Sequence, residues 1–512
     1  MPLRNKSLLG FPCWISLTNL FILANFVLFT SRNYAGVLLG NDDEAYDGFY
    51  WVNATVGTPR QHVALLLDTG SSDTWVFGPV QSFVANLKLV EDDDSQSSTS
   101  KIINRGAFSI SYVDTASAAG DYVSDNFGIG SIMIKDAIIG VARQVHIGLI
   151  GVLGIGFDSL ESITWNGGNS YKNIIDLMVK QGLINSRAYS LWLNDIESQT
   201  GGIMFGGIDT GKYKGKLIGV PIQPDAQTGQ IDSMTVAWTS LSVNDPTQGN
   251  QPLTENGFKQ PAVLDSGAQS IFLPQGLYEQ VASLVNVIST QDQGDLVECE
   301  AMQSYEATLE FGIGGSGGPV ISVPFSELAV PLLDAYGYPT TFKNGNTACV
   351  FGMTPVPDDA PISLGDPFLR AAYVVYDLDR RQIALAPTVF NSEISNIVEI
   401  LAPGSSNQDP WDVANSVSVQ QTATARPEGP GLLISATATG PLSYVPTATA
   451  FHLPTSDISQ PSGYSQSSDN AEPPKTSAGA ASSNWTAGPG ILTNIVVCVV
   501  SIFVGTTLIF GG

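Results

Sequence analysis

Two short stretches, roughly 200 residues or about one domain apart, each bring an aspartate to the end of an apolar run. In the first, VALLLDTGSSDTWVF at 63–77, Asp68 closes the run, and Thr69, Gly70, Ser71 and Ser72 then turn the chain sharply. A carboxylate at the tip of an apolar strand is costly unless hydrogen bonds or a shared proton stabilise it, and the Gly70 amide and Ser71 hydroxyl are the nearest donors. Standing alone, such a D-T-G reads as an aspartate in a solvated hairpin turn. The grammar returns, however, in AVLDSGAQSIFLP at 262–274, with Asp265, Ser266 and Gly267. A further element follows each motif at a similar offset: Val152, Leu153 and Gly154 after the first, and Ser363, Leu364 and Gly365, with one apolar residue lost, after the second. Two lobes of one plan, each offering one carboxylate, are the economical explanation.

Other stretches stand in a recognisable order around this pair: FYWVNATVGTPRQ at 49–61, FSISY at 108–112, AYSLWL at 188–193, GGIMFGGID at 201–209 and LGDPFLRAAYVVYDLDRRQIALA at 364–386. Together they resemble the pepsin-type aspartic proteases, and more narrowly the fungal GPI-anchored, yapsin-like group. The resemblance implies a mainly all-β, bilobal fold with a few short helices and a catalytic cleft between two pseudo-symmetric lobes. It implies an aspartic-type endopeptidase in which Asp68 and Asp265 face each other. Two carboxylates within hydrogen-bond reach do not both ionise cheaply, so they share one proton, a split titration familiar from this family. The ionised partner takes a proton from a bridging water as that water attacks the scissile carbonyl, while the protonated partner donates toward the carbonyl oxygen. That chemistry uses no metal and no cofactor.

By the same resemblance Thr69 and Ser266 cross-bond to fix the two loops, with Gly70 and Gly267 beside them, and Ser71 donates to Asp68. The counterpart of Ser71 is Ala268, which has no donor. Tyr112 matches the tyrosine of a flap that closes over substrate, and Trp75 the tryptophan behind it; strand packing is the plainer reading of each. The flap departs from the family's usual Tyr-Gly by running Tyr112, Val113, Asp114, and a β-branched residue there restricts the backbone. Asp114 stands where an acidic residue in fungal relatives goes with Lys or Arg beside the scissile bond; a solvated flap-tip aspartate is the alternative. Cys13 and Cys498 lie in hydrophobic end segments, whereas the loop between Cys299 and Cys349 resembles the disulfide of the family's C-terminal lobe. That suits an oxidising, secretory compartment.

The elements that must position these groups are read from composition and periodicity. Residues 1–35 carry Arg4, Lys6 and then an uncharged stretch, the pattern of a signal peptide, with an uncleaved signal anchor as alternative. A short acidic segment, 36–45, then precedes the first strand and lacks the length and basic charge of a prosegment that covers an acidic cleft. The lobes are expected over 46–215 and 216–390, rich in short runs bounded by glycine. Short helices are expected within 171–182, from about Pro274, and from Asp366–Pro367. A Ser/Thr/Pro-rich stalk without a fold is expected over 391–485, its composition changing beyond about Pro403. Residues 486–512 end in an apolar, uncharged run behind small residues and a polar spacer, the pattern of a GPI-attachment signal. A transmembrane helix is the rival, although no Lys or Arg follows to anchor its inner side. Asn53, in an N-A-T triplet, is a candidate glycosylation acceptor.

Over 512 residues, 22 Lys and Arg stand against 47 Asp and Glu, a formal charge of −25 that argues against nucleic acid and suits solubility in acid. The three histidines, His62, His146 and His452, lack ligand spacing and give no support to zinc or to Ser/His and Cys/His nucleophiles. The expected protein is therefore a monomeric protease of polypeptides, held by its GPI anchor on the outer face of the cell membrane, with the cell wall or partial secretion as alternatives. A catalytically inactive pepsin-like wall or binding protein is the competing function. A carboxylate-pair glycosidase is a third, and it would not require D-[ST]-G twice.

Overall fold

Alternation of apolar side chains builds the strand that carries Asp68. In Gln61–Asp68 the side chains of Val63, Leu65 and Leu67 are buried, while Ala64 and Leu66 between them are half-buried. The structure, a computed structural model, describes residues 35–41, 50–78, 96–414, 423–427 and 434–436, with short breaks at 113–115, 147–149, 166, 199, 226–227, 291–292, 334–337, 359 and 406–410. The expected signal peptide before Ala35, the expected GPI-attachment signal, most of the expected stalk and Asp114 lie outside the described residues.

Each half of the chain contains the same arrangement. Gln61–Asp68 runs parallel to Gly151–Gly154, so that Asp68 is level with Gly154, and Thr74–Phe77 lies antiparallel on the other side of that short strand. In the second half Gln260–Leu264 runs parallel to Ile362–Leu364, and Ile271–Pro274 lies antiparallel to it. The repeated motifs of the sequence are thus the paired inner strands of a mainly β, pseudo-symmetric, bilobal fold. Its helices are short, among them Ile174–Lys180, capped by Asn173, Gln275–Leu284 beginning after Pro274, and Asp366–Ala371 with Pro367 in its first turn. Cys299 and Cys349 form a disulfide across 50 residues, tying the start of the short helix Cys299–Ser304 to the strand Ala348–Phe351. In the chain-entropy account such a loop contributes on the order of 4 kcal/mol.

A fourteen-stranded sheet crosses the expected lobe boundary at 215. Toward one edge it pairs Ala188–Trp192 and Thr200–Phe205 from the first half with Ala372–Asp377 and Gln382–Pro387 from the second. Tyr189, Leu191, Val374, Tyr376, Ile383 and Leu385 point into the main core beneath the loops that carry Asp68 and Asp265. On the opposite face Ala188, Tyr373, Val375, Ala384 and Ala386 are covered by Ile208, Leu217, Ile400 and Trp411.

Two expected boundaries move. A strand, Ala35–Asn41, lies within the stretch expected to precede the first strand, pairing with Thr200–Phe205 and with Tyr50–Val56. Its AGVLLGN is small and apolar, and the acidic residues that defined the segment begin only after it. The stalk, expected from 391, does not begin there. Ile397–Glu399 pairs with Gly207–Asp209, and Asp209 accepts hydrogen bonds from the Asn396 amide and the Ser395 hydroxyl, 2.7 Å each. Trp411 is 6% exposed, donates to Gln382 Oε1 at 2.8 Å and packs on Gly219, where a Cβ would lie 2.6 Å from its ring. A few apolar anchors, spaced among polar residues, hold this strap, so average composition hides it. Ala423–Pro427 and Ile434–Ala436 also pair, within the expected stalk.

Replacing Trp411 with alanine should therefore lower stability by about 3 kcal/mol in urea denaturation, as truncating a buried aromatic does. A loss below about 0.5 kcal/mol would mark residues 391–414 as an appendage.

Candidate active site

The two aspartates meet where the two repeated loops touch. The Gly70 amide donates to Asp68 Oδ1 at 2.8 Å and the Gly267 amide to Asp265 Oδ1 at 2.8 Å, so each loop solvates its own carboxylate. The Ser71 hydroxyl also donates to Asp68 Oδ2. The carboxyls of Asp68 and Asp265 are close enough to act on each other's titration. Each loop's glycine faces the other loop's aspartate: a Cβ on Gly70 would lie 2.6 Å from Asp265 Oδ2, and one on Gly267 would lie 2.7 Å from Asp68 Oδ1. Neither contact leaves room for a side chain.

Behind the carboxylates the loops are locked reciprocally. The Thr69 amide donates to Ser266 Oγ at 3.2 Å and the Ser266 amide to Thr69 Oγ1 at 3.0 Å. The hydroxyls then donate onward across the boundary, Thr69 to the Leu264 carbonyl at 3.0 Å and Ser266 to the Leu67 carbonyl at 2.8 Å. Both residues are buried, so these bonds face no competition from water.

Burial raises the titration of both carboxyls. For Asp68, the Ser71 hydroxyl, the Gly70 amide and Asp265 hold the rise in check. For Asp265, burial is joined by the negative charge of Asp68. The directions describe a pair that keeps one proton between its members well above the ordinary carboxylate range. The second loop has no hydroxyl to match Ser71, because Ala268 stands there and contributes its carbonyl, which accepts from the Asp366 amide at 2.9 Å.

Tyr112 directly follows the outgoing strand of a hairpin, Lys101–Ser111 paired with Ser117–Ile129, and its amide donates to the Ala116 carbonyl at 2.8 Å. Trp75, 3% exposed, donates through Nε1 to the Tyr112 hydroxyl at 2.8 Å. The structure thus brings Asp68, Thr69, Gly70, Ser71, Asp265, Ser266 and Gly267 together and places Trp75 and Tyr112 as a bonded pair. Asn53 stands exposed on the strand Tyr50–Val56. Among the described residues no group of three His, Cys, Asp or Glu is placed to hold a metal ion.

Sequence reasoning missed two acids. Asp366, read as a helix opener, is 1% exposed with neither carboxyl oxygen hydrogen-bonded among the described residues, and burial raises its titration far above the usual range. Asp73, five residues past Asp68, is fully buried and gathers three donors. The only signal for Asp73 is that it is a second acid inside the first motif, and with Ser72 and Thr74 beside it that signal is weak.

The arrangement has known counterparts. A sequence model of the family described as "Eukaryotic aspartyl protease" matches residues 49–388. The chain is 38% identical over 397 residues to a "Probable aspartic-type endopeptidase OPSB" of Arthroderma benhamiae, covering 76% of this chain and 78% of that protein. It is 30% identical over 419 residues to "Barrierpepsin" of Saccharomyces cerevisiae, covering 75% and 68%. The crystal structure of an aspartic proteinase from Irpex lacteus superposes with a TM-score of 0.55 at 22% identity, covering 71% of this chain and all of that one.

The asymmetry between Ser71 and Ala268 has a measurable consequence. A hydroxyl added beside Asp265 stabilises its anion and lowers the pair's first ionisation. Ala268→Thr should move the acidic limb of a pH–activity profile downward, by up to about one pH unit for a bond of about 1 kcal/mol. A limb that stays put or moves upward would show that the missing hydroxyl does not set the working pH.

Proposed function

The chain belongs to the eukaryotic aspartyl protease family and is an aspartic-type endopeptidase acting on polypeptides, and from that premise we propose that Asp68 and Asp265 are its catalytic pair. The observation that carries the assignment is the reciprocal contact of the two loops, with each carboxylate held by its own glycine amide and packed against the other loop's glycine. One shared proton leaves one carboxylate to act as general base toward a water held between them. The other carboxyl acts as general acid toward the carbonyl oxygen of the scissile bond. Both groups return to their starting states after one turnover when the proton gained from water passes to the leaving amine and the diol hydroxyl returns its proton to the other carboxylate as the C–N bond breaks. Tyr112, held from behind by Trp75, covers the substrate.

The reading extends to location and specificity. The apolar ends of the sequence, 1–35 and 486–512, support secretion and GPI attachment at the outer face of the cell membrane. Asp114, beside the flap tyrosine, and the net charge of −25 support a preference for substrates with Lys or Arg near the cleaved bond.

Asp68→Asn and Asp265→Asn should each reduce cleavage of a denatured protein at acid pH at least about a thousandfold while leaving the fold intact. The wild-type activity should be blocked by pepstatin and should favour basic residues in a peptide library. Substantial cleavage by either variant would remove the pair from the mechanism, and a profile unmoved by Asp114→Thr would remove Asp114 from specificity.

The anchor is tested separately. Phosphatidylinositol-specific phospholipase should release the intact protein from cells, and deletion of residues 491–512 should send it into the medium. Protein that resists the enzyme and yields only to detergent is held by a membrane-spanning segment instead.

A further inference from the structure

Asp73 has no role in the chemistry described above, yet it is the most fully bonded acid near the catalytic loop. It is 0% exposed. Its Oδ1 accepts from the Tyr122 hydroxyl at 2.7 Å and from the Tyr171 hydroxyl at 2.9 Å, and its Oδ2 accepts from the Ser162 amide at 2.6 Å. Those donors come from separate parts of the first half. Tyr122 lies on Ser117–Ile129, the returning strand of the flap hairpin, while Ser162 and Tyr171 lie in the stretch between Gly151–Gly154 and the helix Ile174–Lys180.

We infer that Asp73 is a positioning residue that fixes the flap hairpin to the loop carrying Asp68, through its bond to Tyr122. The inference rests on the reading of Asp68 and Asp265 as the catalytic pair and of Tyr112 as a substrate cover. Its physical basis is the contrast between directional and non-directional contacts. Beneath the hairpin the rings run in series: Trp75 to Phe108 at 6.1 Å, Phe108 to Tyr122 at 5.4 Å, and Tyr122 to Tyr171 at 5.6 Å between centroids. Such packing resists separation but sets orientation only weakly. Two polar bonds pin the series to the catalytic segment, Trp75 Nε1 to the Tyr112 hydroxyl and Asp73 Oδ1 to the Tyr122 hydroxyl. Both acceptor and donor on the catalytic side lie within one short segment, two residues apart. The hairpin is therefore held at two points along its length, one next to its tip and one farther down the returning strand.

The neighbours of Asp73 suit an anchor. Glu161, also fully buried, accepts from the Tyr171 amide at 2.7 Å, and burial pushes its pKa up to about 10, so it is neutral at acid pH; burial raises the titration of Asp73 as well, against the pull of its donors. The Tyr122 hydroxyl also lies 2.9 Å from Ser162 Oγ, which completes a closed set of partners. An apolar side chain of equal volume would preserve packing and lose direction, which separates positioning from mere stability.

Tyr122→Phe removes the flap's half of the bond and keeps the ring; Asp73→Asn keeps the Oδ1 acceptor; Asp73→Ala removes it. Steady-state kinetics on a peptide that the wild type cleaves are read beside amide hydrogen exchange over 108–124. Tyr122→Phe should raise KM about fivefold, the effect expected of one buried hydrogen bond, with a smaller change in kcat, and should speed exchange across the hairpin by a similar factor. Asp73→Ala should do the same or more, and Asp73→Asn should recover most of the loss. The inference is overturned if Tyr122→Phe leaves either KM or exchange at its wild-type value, or if Asp73→Asn is no better than Asp73→Ala. Should Asp73→Ala fail to fold, Tyr122→Phe and Asp73→Asn decide between them, with wild-type values in the first or a full loss in the second counting against it. A wild type that cleaves nothing would instead defeat the catalytic reading itself, while exchange would still report on the anchor.

Discussion

Two like charges do not approach each other unless something else holds them there. In this protein that role falls to the reciprocal bonds of Thr69 and Ser266, which connect the loops amide to hydroxyl and hydroxyl to carbonyl in both directions. At an effective dielectric typical of protein sites, unscreened repulsion between two carboxylates a few ångströms apart is of the order of several kcal/mol. Sharing a proton relieves most of it, and the cross-bonds keep the loops from relaxing apart when the proton is lost. The remainder of the fold can be understood as support for that junction. Each loop emerges from an inner strand flanked on one side by a parallel neighbour, and the strand that carries Asp68 belongs to the same sheet that the two halves share.

The glycines make the junction selective as well as close. Gly70 and Gly267 are required here by contact with the opposing carboxylate, and the two positions do this work symmetrically although the surrounding loops are not symmetric. Ser71 and Ala268 show how far the halves have diverged just outside the contact. The consequence is electrostatic: one carboxylate has a hydroxyl donor and the other does not, so the pair is uneven before any substrate arrives.

Asp68 and Asp265 were legible because the same local grammar occurs twice, and a repeated apolar run ending in an acid and a glycine is hard to explain by turns alone. Three short helices were legible from their caps and spacing. Asp73 and Asp366 were not, because their environments are assembled from residues far along the chain: Tyr122 and Tyr171 are 49 and 98 positions from Asp73. The strap over 391–414 escaped for a different reason. Ile400 and Trp411 bury themselves singly against a sheet face already built by other strands, so no periodic pattern marks the segment. The first strand was hidden by the acidic residues that follow it, which dominated the composition of a short window.

The strap also decides how mechanical force reaches the enzyme. Whatever the chain beyond residue 414 is attached to, tension along it enters at Trp411 and at the two-residue parallel pairing of Asp412–Val413 with Ile218 and Gly219. That point lies on the face of the shared sheet turned away from Asp68 and Asp265, and the Arg380 guanidinium, paired with Asp377 at 2.8 Å and lying 5.7 Å from the Trp411 ring, backs it from within. A pull is therefore spread along strands that belong to both halves before it can part them.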